Sequence, residues 1–265
     1  MNGFGHYLLR DRVFVAYWTG AAIMLMVASL VLWPRGVNSE FRSRLQMARR
    51  NLTLPVLYTF AGGLALFALA GGILYYNLHA ANDFRTAFGR EELQASYERK
   101  YKKLAGVPQP RITGVQLQVE MYPQERGLAM TGRYELENKT AHPVAQVYIA
   151  QHRESDIRSL RFGQKVIKSI DDPVIGFYGY TLSRPLQPGE RMVIEFEIAY
   201  KSKGILGAGL DTPVVHNGTF FSSSYLPRIG YQPAFELSDD RDRKRHGLLP
   251  KERALPRDDA KGLSN

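Results

Sequence analysis

Two long apolar runs come first in the chain, and segments of alternating polarity follow them. Residues 13–33 carry no charged side chain over 21 positions, and residues 55–76 form a second uncharged run. A helix of that length is about 31 Å long, close to the roughly 30 Å hydrocarbon core of a bilayer. The pattern predicts two transmembrane helices, at 13–33 and 55–76.

Two other interpretations of the runs compete with this one. A cleaved signal peptide needs a shorter apolar run and a small-residue cleavage site, whereas the first run continues into Leu-Trp-Pro-Arg-Gly at 32–36. A buried helical hairpin of a soluble protein is also apolar, but two uncharged runs of this length are more typical of membrane spans. The transmembrane interpretation is therefore preferred.

The second run is rich in small residues. Ala61 and Ala65, and likewise Ala68 and Gly72, lie four positions apart, a spacing that lets another membrane helix approach closely. The spacing indicates packing against further spans. The alternative is that Gly is simply common in membrane helices.

The connector between the two runs predicts their orientation. Residues 34–51 contain five arginines against one glutamate, whereas residues 77–92 contain two arginines against three acidic residues. Short loops rich in Lys and Arg stay in the cytoplasm. Both ends of the chain are then predicted to lie outside, which in a bacterium means an inner-membrane protein with a periplasmic C-terminal domain.

Charge and cysteine content exclude several function classes. The chain has 265 residues, a net charge of +10 and no cysteine. Residues 1–110 hold thirteen Lys/Arg against six Asp/Glu, so most of the excess charge flanks the apolar runs, and nucleic acid is not an expected partner. The missing cysteines exclude a disulfide scaffold, a cysteine nucleophile and thiolate metal sites.

A bridging amphipathic helix is predicted over residues 84–106. One face carries apolar and aromatic residues at spacings of four, four and three: Leu93, Tyr97, Tyr101 and Leu104. The opposite face is charged: Glu98, Arg99, Lys100, Lys102 and Lys103. Docking on its own domain is favoured over lying on the membrane surface, which basic amphipathic helices also do.

From residue 112 the period changes to two. Strands are predicted at 112–122, 128–138, 144–150, 157–162, 166–170, 175–182 and 192–200, with an eighth candidate at 214–221. In the first strand the apolar face is Val115, Leu117, Val119 and Met121. Strands at such intervals without intervening helices predict an antiparallel β-sandwich over residues 107–237. Residues 238–265 are predicted to form a charged, solvated tail.

No catalytic, cofactor-binding or metal-binding residue is assigned from motifs. No two of the six histidines are three or four positions apart: His6, His79, His142, His152, His216 and His246. The acidic pairs Asp171-Asp172 and Asp239-Asp240 are adjacent, and adjacent residues of a strand point to opposite faces. The glycine-rich segment 203–209 lacks the Gly-Lys-Ser/Thr ending of a phosphate loop and is interpreted as an ordinary loop.

Several segments of the strand region resemble a known family. They are residues 110–112, the Gly-x-Tyr-x-Leu-x-Asn-Lys-Thr segment at 132–140, the Leu-Ser-Arg-Pro-Leu-Gln-Pro-Gly-Glu segment at 182–190, and residues 217–220 and 227–231. Their order resembles the N-terminal β-sandwich of zinc aminopeptidases of the aminopeptidase N family. The resemblance implies that residues 107–237 form this non-catalytic domain.

The membrane part extends the resemblance. Tyr-Trp at 17–18, the segment at 32–36 and Tyr-Glu-Arg-Lys-Tyr at 97–101 are similar to a bacterial subgroup in which an ABC transporter permease is fused ahead of an aminopeptidase-like module. This chain matches the last two permease spans and the N-terminal sandwich. The implied partners are the lipid bilayer, other transmembrane helices or an ATPase subunit, and a downstream peptidase domain.

The catalytic motifs of the family are missing from this sequence. Neither Gly-x-Met-Glu-Asn nor His-Glu-x-x-His occurs, so zinc is expected only if a downstream catalytic domain exists, and the chain is expected to be a fragment or a truncated product. Two alternatives stay open. The full-length product is a zinc metalloaminopeptidase, or the sandwich is a stand-alone binding module. For the latter, candidate aromatic residues that could equally be core are Phe177, Tyr178, Tyr180, Phe220 and Phe221.

Overall fold

The computed structural model describes residues 5–33, 48–82, 85–152, 155–205, 214–216, 218–220 and 222–251. The chain forms two compact units. The helical unit comprises residues 1–84 with the segments 123–126 and 202–220, and the sandwich unit comprises the rest.

Two long helices form the core of the helical unit. Helix α1 spans Leu8–Leu32 and helix α2 spans Leu54–Tyr75, continuing as a π-helical turn over Tyr76–Ala80. Helix α1 starts five residues before the predicted span, since it includes the charged stretch around Arg10 and Asp11, which pair at 3.2 Å. The prediction of two apolar helices is confirmed. Their side chains are largely exposed. In the most apolar stretch of α1, 17% of the residues are buried, and in the most apolar stretch of α2 with its π-helical turn, 11% are buried.

Glycines bring α1 and α2 into close contact. A Cβ atom on Gly20 would lie 2.7 Å from the backbone nitrogen of Phe67 and 2.8 Å from the carbonyl oxygen of Gly63. Beside this point the rings of Tyr17 and Phe67 stack with centroids 4.4 Å apart. Only glycine at position 20 permits this separation, so the helix pair depends on its absent side chain.

The small-residue pairs singled out in the sequence lie elsewhere. Ala61, Ala65, Ala68 and Gly72 are all exposed, and a Cβ atom on Gly72 would meet nothing within 4 Å. These residues therefore do not form the α1–α2 contact. That they receive a further span stays a prediction.

The described ranges after residue 110 contain ten strands. They are β1 Arg111–Tyr122, β2 Gly127–Glu137, β3 Val144–Ala150, β4 Asp156–Phe162, β5 Val166–Asp172, β6 Phe177–Leu186, β7 Arg191–Lys201, β8 Val214–Val215, β9 Gly218–Thr219 and β10 Arg228–Ile229. Sheet I has the order β1-β2-β7-β4, and sheet II has the order β10-β3-β6-β5. Every strand pair is antiparallel.

The two sheets bury an apolar core in the sandwich unit. Strands β2 and β7 alternate between buried and accessible positions, as half-buried strands do. The rings of Phe162 in sheet I and Tyr180 in sheet II meet at 4.8 Å, so side chains of both sheets share this core. The antiparallel sheets predicted from the period of two are confirmed.

The eighth predicted strand is wrong as a single element. Residues 214–221 instead contain the short strands β8 and β9, which pair with each other and belong to neither large sheet. Val215 pairs with Gly218, so the chain reverses between them.

The apolar face predicted for β1 is largely exposed. Leu117 pairs with Gly132, and Val119 with Met130, in register with buried positions of β2. Yet Val115, Leu117 and Met121 are between 38% and 53% exposed. The alternation was read correctly, but β1 is an edge strand, and no described residue covers its apolar face.

Helix α3 spans Ala87–Tyr101 and a 3₁₀ turn continues it to Leu104. Thr86 caps its first turn, since its hydroxyl accepts from the Gly89 backbone N–H at 3.1 Å. The rings of Tyr101 and Phe177 stack at 4.3 Å, and those of Tyr97 and Tyr231 at 4.9 Å. The aromatic face of α3 therefore docks on its own domain, which is the interpretation favoured from the sequence.

Candidate functional site

The most elaborate polar arrangement of the sandwich unit joins α3 to the segment 237–251. Within this segment, helix α4 spans Asp240–Arg245. Asp239 caps it by accepting from the backbone N–H groups of Arg241 at 2.8 Å and Asp242 at 3.2 Å. The sequence-based interpretation of residues 238–265 as a charged, solvated tail is therefore wrong for the helix at Asp240–Arg245, and residues 252–265 lie outside the described residues.

Arg243 is the centre of this arrangement. Its side chain is 1% exposed and donates two hydrogen bonds to the carboxylate of Glu98, at 2.7 and 2.8 Å. Its other contacts are the carbonyl oxygens of Leu237 at 2.7 Å and Leu249 at 2.6 Å. A planar guanidinium suits this two-pronged geometry, which a lysine could not reproduce.

Glu98 is correspondingly buried and ionised. The hydrogen bonds from Arg243 lower the pKa of its carboxyl, against the opposing effect of burial, and Lys102 adds a further contact at 2.8 Å. The sequence placed Glu98 on the charged face of α3, opposite the aromatic residues. It is 4% exposed because α4 covers that side.

His246 adds a second contact between the same elements. Its ring nitrogens lie 2.7 Å from a carboxylate oxygen of Glu92 and 3.1 Å from one of Glu91. Only a doubly protonated ring can donate to both. His246 and Arg99 lower the pKa of the Glu92 carboxyl, and Arg245 contacts Glu91 at 2.7 Å. We refer to the set Glu91, Glu92, Glu98, Arg243 and His246 as the clasp.

The chemistry of the clasp is that of attachment. Each of its carboxylates already contacts a cationic or imidazole group, so none is free to act as a general base. Within the described ranges, no three His, Cys, Asp or Glu side chains are arranged to hold a metal ion. The clasp fixes the segment 237–251 to α3.

Aromatic contacts reinforce the clasp. The Tyr97 hydroxyl accepts from the Gln232 backbone N–H at 2.7 Å, and burial raises the pKa of Tyr97 to about 12. The Tyr231 hydroxyl donates to Glu236 at 2.9 Å. The first bond ties α3 to Gln232, and the second lies within residues 231–236, directly before the segment 237–251.

Sequence reasoning missed Arg243 and His246. A usable signal was present, because Asp239 and Asp240 precede Arg243, Lys244 and Arg245. Acidic residues at the start and basic residues at the end are typical of a helix. The partner of that helix was not predictable, since α3 and α4 are more than a hundred residues apart in the chain.

The candidate aromatic face is only partly buried and does not form one surface. Phe177 and Tyr180 are core residues, Tyr178 is half-buried and Phe220 is exposed. Phe221 lies outside the described residues. Of the five candidate aromatic residues, Phe177 and Tyr180 therefore belong to the core.

Two of the segments that resemble the aminopeptidase N family, 132–140 and 182–190, meet at Asn138, which is fully buried. Its amide donates to the carbonyl oxygens of Leu186 and His142, both at 2.8 Å, and its side-chain oxygen accepts from Thr140. Its backbone N–H donates to the carbonyl of Glu190 at 3.0 Å, beside the Pro-Gly-Glu turn. The motif residues therefore join the end of β2 to the β6–β7 turn and serve the fold.

The glycine-rich segment is anchored within the helical unit. Asn77, at the end of α2, accepts from the Ile205 backbone N–H at 2.6 Å, and Arg126 donates to the Gly204 carbonyl at 2.6 Å. Gly204 has a φ of +67°, a conformation that favours glycine. Residues 206–209 lie outside the described residues.

An open groove of about 480 Å³ lies along sheet I. Charges of both signs occur along it, since Arg133 and Arg161 each pair in register with Glu195. Such a mixed polar face is typical of a solvated sheet surface.

Comparisons with known proteins give partial matches only. No protein-family profile and no curated protein matches the chain. Among solved structures, a two-domain M1 zinc metallopeptidase variant bound to L-tryptophan is 17% identical over 37% of this chain and 22% of its own, with a TM-score of 0.30. The M1 zinc metallopeptidase from Deinococcus radiodurans is 18% identical over 37% of this chain and 22% of its own, with a TM-score of 0.29.

A different protein also aligns with part of the chain. It is ChBD2 from Thermococcus kodakarensis, which is 13% identical over 36% of this chain and 84% of its own, with a TM-score of 0.21. This chain therefore spans less than a third of the length of the metallopeptidases it matches, and the similarity is partial and of low identity in each case.

Proposed function

We propose that the chain is a membrane-anchored component in which two transmembrane helices hold an aminopeptidase N-like β-sandwich on the periplasmic side of a bacterial inner membrane. It corresponds to the junction between an ABC transporter permease and an aminopeptidase-like module. The observation that carries this proposal is the pair α1 and α2, with mean hydropathies of 2.0 and 1.8 and few buried residues.

The exposure of these helices argues for a bilayer. Large apolar side chains such as Trp18, Leu25 and Leu69 are each more than 60% exposed. Leaving such side chains in water costs about 1.5–3 kcal/mol each relative to burial. A core helix of a soluble protein would be mostly buried, whereas lipid covers all sides of a helical pair.

The contact between α1 and α2 argues against a cleaved signal peptide. Gly20 and Gly63 meet at backbone distance, so removal of α1 would leave α2 without its neighbour. Two spans with a five-arginine connector favour a cytoplasmic connector and a periplasmic sandwich.

The sandwich serves the proposed complex as a positioning domain. Its motif residues build the fold around Asn138, and its clasp holds the C-terminal segment. Peptide hydrolysis and zinc binding belong to a downstream peptidase domain in the alternative that the full-length product is a metalloaminopeptidase. The proposed membrane partners are other transmembrane helices, and an ATPase subunit would supply the energy for transport.

Single-cysteine labelling tests the orientation, because the chain has no cysteine of its own. Ile167→Cys places a thiol on β5 at a position that is 74% exposed, and Ser43→Cys places one in the connector. With a membrane-impermeant maleimide on intact spheroplasts, we expect Ile167→Cys to react at once and Ser43→Cys only after permeabilisation. The reverse pattern, or protection of both thiols, would contradict the proposal.

A further inference from the structure

Strand β1 differs from the other strands of sheet I in its exposure. Ten of its twelve positions are exposed and two are partly buried, whereas six positions of β2 are buried. One side carries Val115, Leu117, Val119 and Met121, and the opposite side carries Gln116, Gln118 and Glu120. In the described part of the chain, sheet I thus ends in a strand whose apolar row is largely exposed, with Val119 partly buried.

Among the described residues, the outer edge of β1 from Ile112 to Met121 has no strand partner. Strand β1 is the terminal strand of sheet I, and no backbone hydrogen bond to it is found among the described residues outside its ladder with β2. Edge strands of this kind offer a row of N–H and C=O groups to another strand.

The remaining long edge strands carry charges that discourage such pairing. Strand β4 contains Asp156, Arg158 and Arg161, and strand β5 contains Lys168, Asp171 and Asp172. In contrast, residues 112–119 of β1 include no charged side chain. Charged edge residues are a common protection against edge-to-edge association, and the middle of β1 lacks it.

We propose that β1 pairs with β1 of a second copy of this chain, antiparallel and about a two-fold axis at Leu117, so that the two copies of sheet I form one continuous eight-stranded sheet. The interface is isologous, as in most homodimers. The inference concerns sheet I alone and is independent of the membrane orientation proposed above.

The sequence of β1 is complementary to itself in this register. Leu117 lies opposite Leu117 of the other copy, Val115 opposite Val119, and Gln116 opposite Gln118. Apolar side chains thus meet apolar ones on one face, and amides meet amides on the other, where they form hydrogen bonds. Glu120 lies opposite Gly114, so no like charges face each other.

Disulfide cross-linking of the full chain in detergent tests the pairing. Opposed Cα atoms in an antiparallel pair are about 4.5–5.5 Å apart, within the range a disulfide spans. We expect oxidised Leu117→Cys to form covalent dimer at least ten-fold faster than Ile167→Cys, the matched exposed cysteine on edge strand β5. Equal rates for the two variants would overturn the proposal.

A charge variant separates strand pairing from association through the helices. Val115→Lys adds a positive charge near the axis at a position 53% exposed, so the fold tolerates it. In the Leu117→Cys background we expect it to reduce cross-linking at least ten-fold, and in the cysteine-free chain to convert dimer to monomer by light scattering, while Ile167→Lys does neither. A monomeric parent chain, or a dimer that survives Val115→Lys, would contradict pairing through β1.

Discussion

Gly132 lies where the ring of Phe196 crosses strand β2, and it has no room for a side chain. A Cβ atom there would lie 2.1 Å from the ring Cζ atom, and Phe196 is only 1% exposed, so the ring cannot move away. We expect Gly132→Ala to lower the free energy of unfolding by about 1–3 kcal/mol.

Chemical denaturation followed by circular dichroism measures this loss. The matched control is Gly106→Ala, since a Cβ atom on Gly106 meets nothing within 4 Å. If both alanine variants unfold at the same denaturant concentration, the account of Gly132 as a site of close ring packing is wrong.

Arg243 is the second residue whose replacement is informative. Arg243→Ala leaves the buried carboxylate of Glu98 with Lys102 as its remaining ionic partner. Removing one member of a buried ion pair costs about 3 kcal/mol or more, so we expect a loss of stability of about 3 kcal/mol in thermal unfolding. Arg241→Ala, on the exposed side of the same helix, should change stability by less than about 0.5 kcal/mol.

Residues of this kind mark the limit of sequence reasoning. The motif around Gly132 and Asn138 was recognised as a pattern, but the reason for each residue lies in partners far along the chain, Phe196 and Leu186. The charge pattern around Arg243 is typical of a helix, but nothing in the sequence marks Glu98 as its buried partner, because charged residues are usually exposed.

At the scale of elements, the attachment of α4 to α3 depends on pH. The folded-state pKa of Glu98 lies below its ordinary value. Its stabilising contribution is therefore complete above roughly pH 4.3, the ordinary glutamate pKa, and is lost as the pH falls through the lowered pKa. We expect the difference in melting temperature between the parent chain and Glu98→Gln to be large at pH 7 and to shrink below about pH 4.

Exposed Glu197 on β7 provides the control for this titration. Glu197→Gln should leave the melting temperature near that of the parent chain across the range. A difference between parent and Glu98→Gln that stays constant from pH 7 to pH 3 would show that the ionisation of Glu98 does not stabilise the clasp.

The contact of α1 with α2 gives a second prediction at this scale. Gly20→Ala places a methyl group against backbone atoms of α2, which forces the helices apart at an expected cost of about 1–3 kcal/mol. Unfolding by sodium dodecyl sulfate can be followed by tryptophan fluorescence, because Trp18 lies in α1 and Trp33 directly follows it. Gly62→Ala, which meets nothing within 4 Å, is the matched control, and equal destabilisation by both variants would contradict the contact.

The elements themselves were largely predictable. The uncharged runs predicted both long helices, and the alternation of apolar and polar residues predicted seven strands. Each pattern is informative because it has a direct physical cause in burial or lipid contact. Three features escaped: the exposure of β1, the break between β8 and β9, and helix α4. Alternation shows which side of a strand is apolar, but only the neighbouring sheet determines whether that side is covered.

At the scale of the whole molecule, the chain combines a unit suited to lipid with a unit suited to water. The helical pair exposes apolar side chains, whereas sheet I presents alternating Arg and Glu. The division could be inferred from the sequence because apolar residues are concentrated in the first third of the chain. The function could not be inferred in the same way, since the motif residues stabilise the fold and carry no reaction.

Extraction of membranes at alkaline pH tests the central claim most directly. Membranes from cells that express the full chain are washed with sodium carbonate, which releases peripheral proteins, and the pellet and the supernatant are compared by immunoblot. We expect the chain to remain in the pellet and to be released only by detergent, because the proposed function has α1 and α2 crossing the bilayer. A folded, monodisperse chain in the detergent-free supernatant would contradict this account.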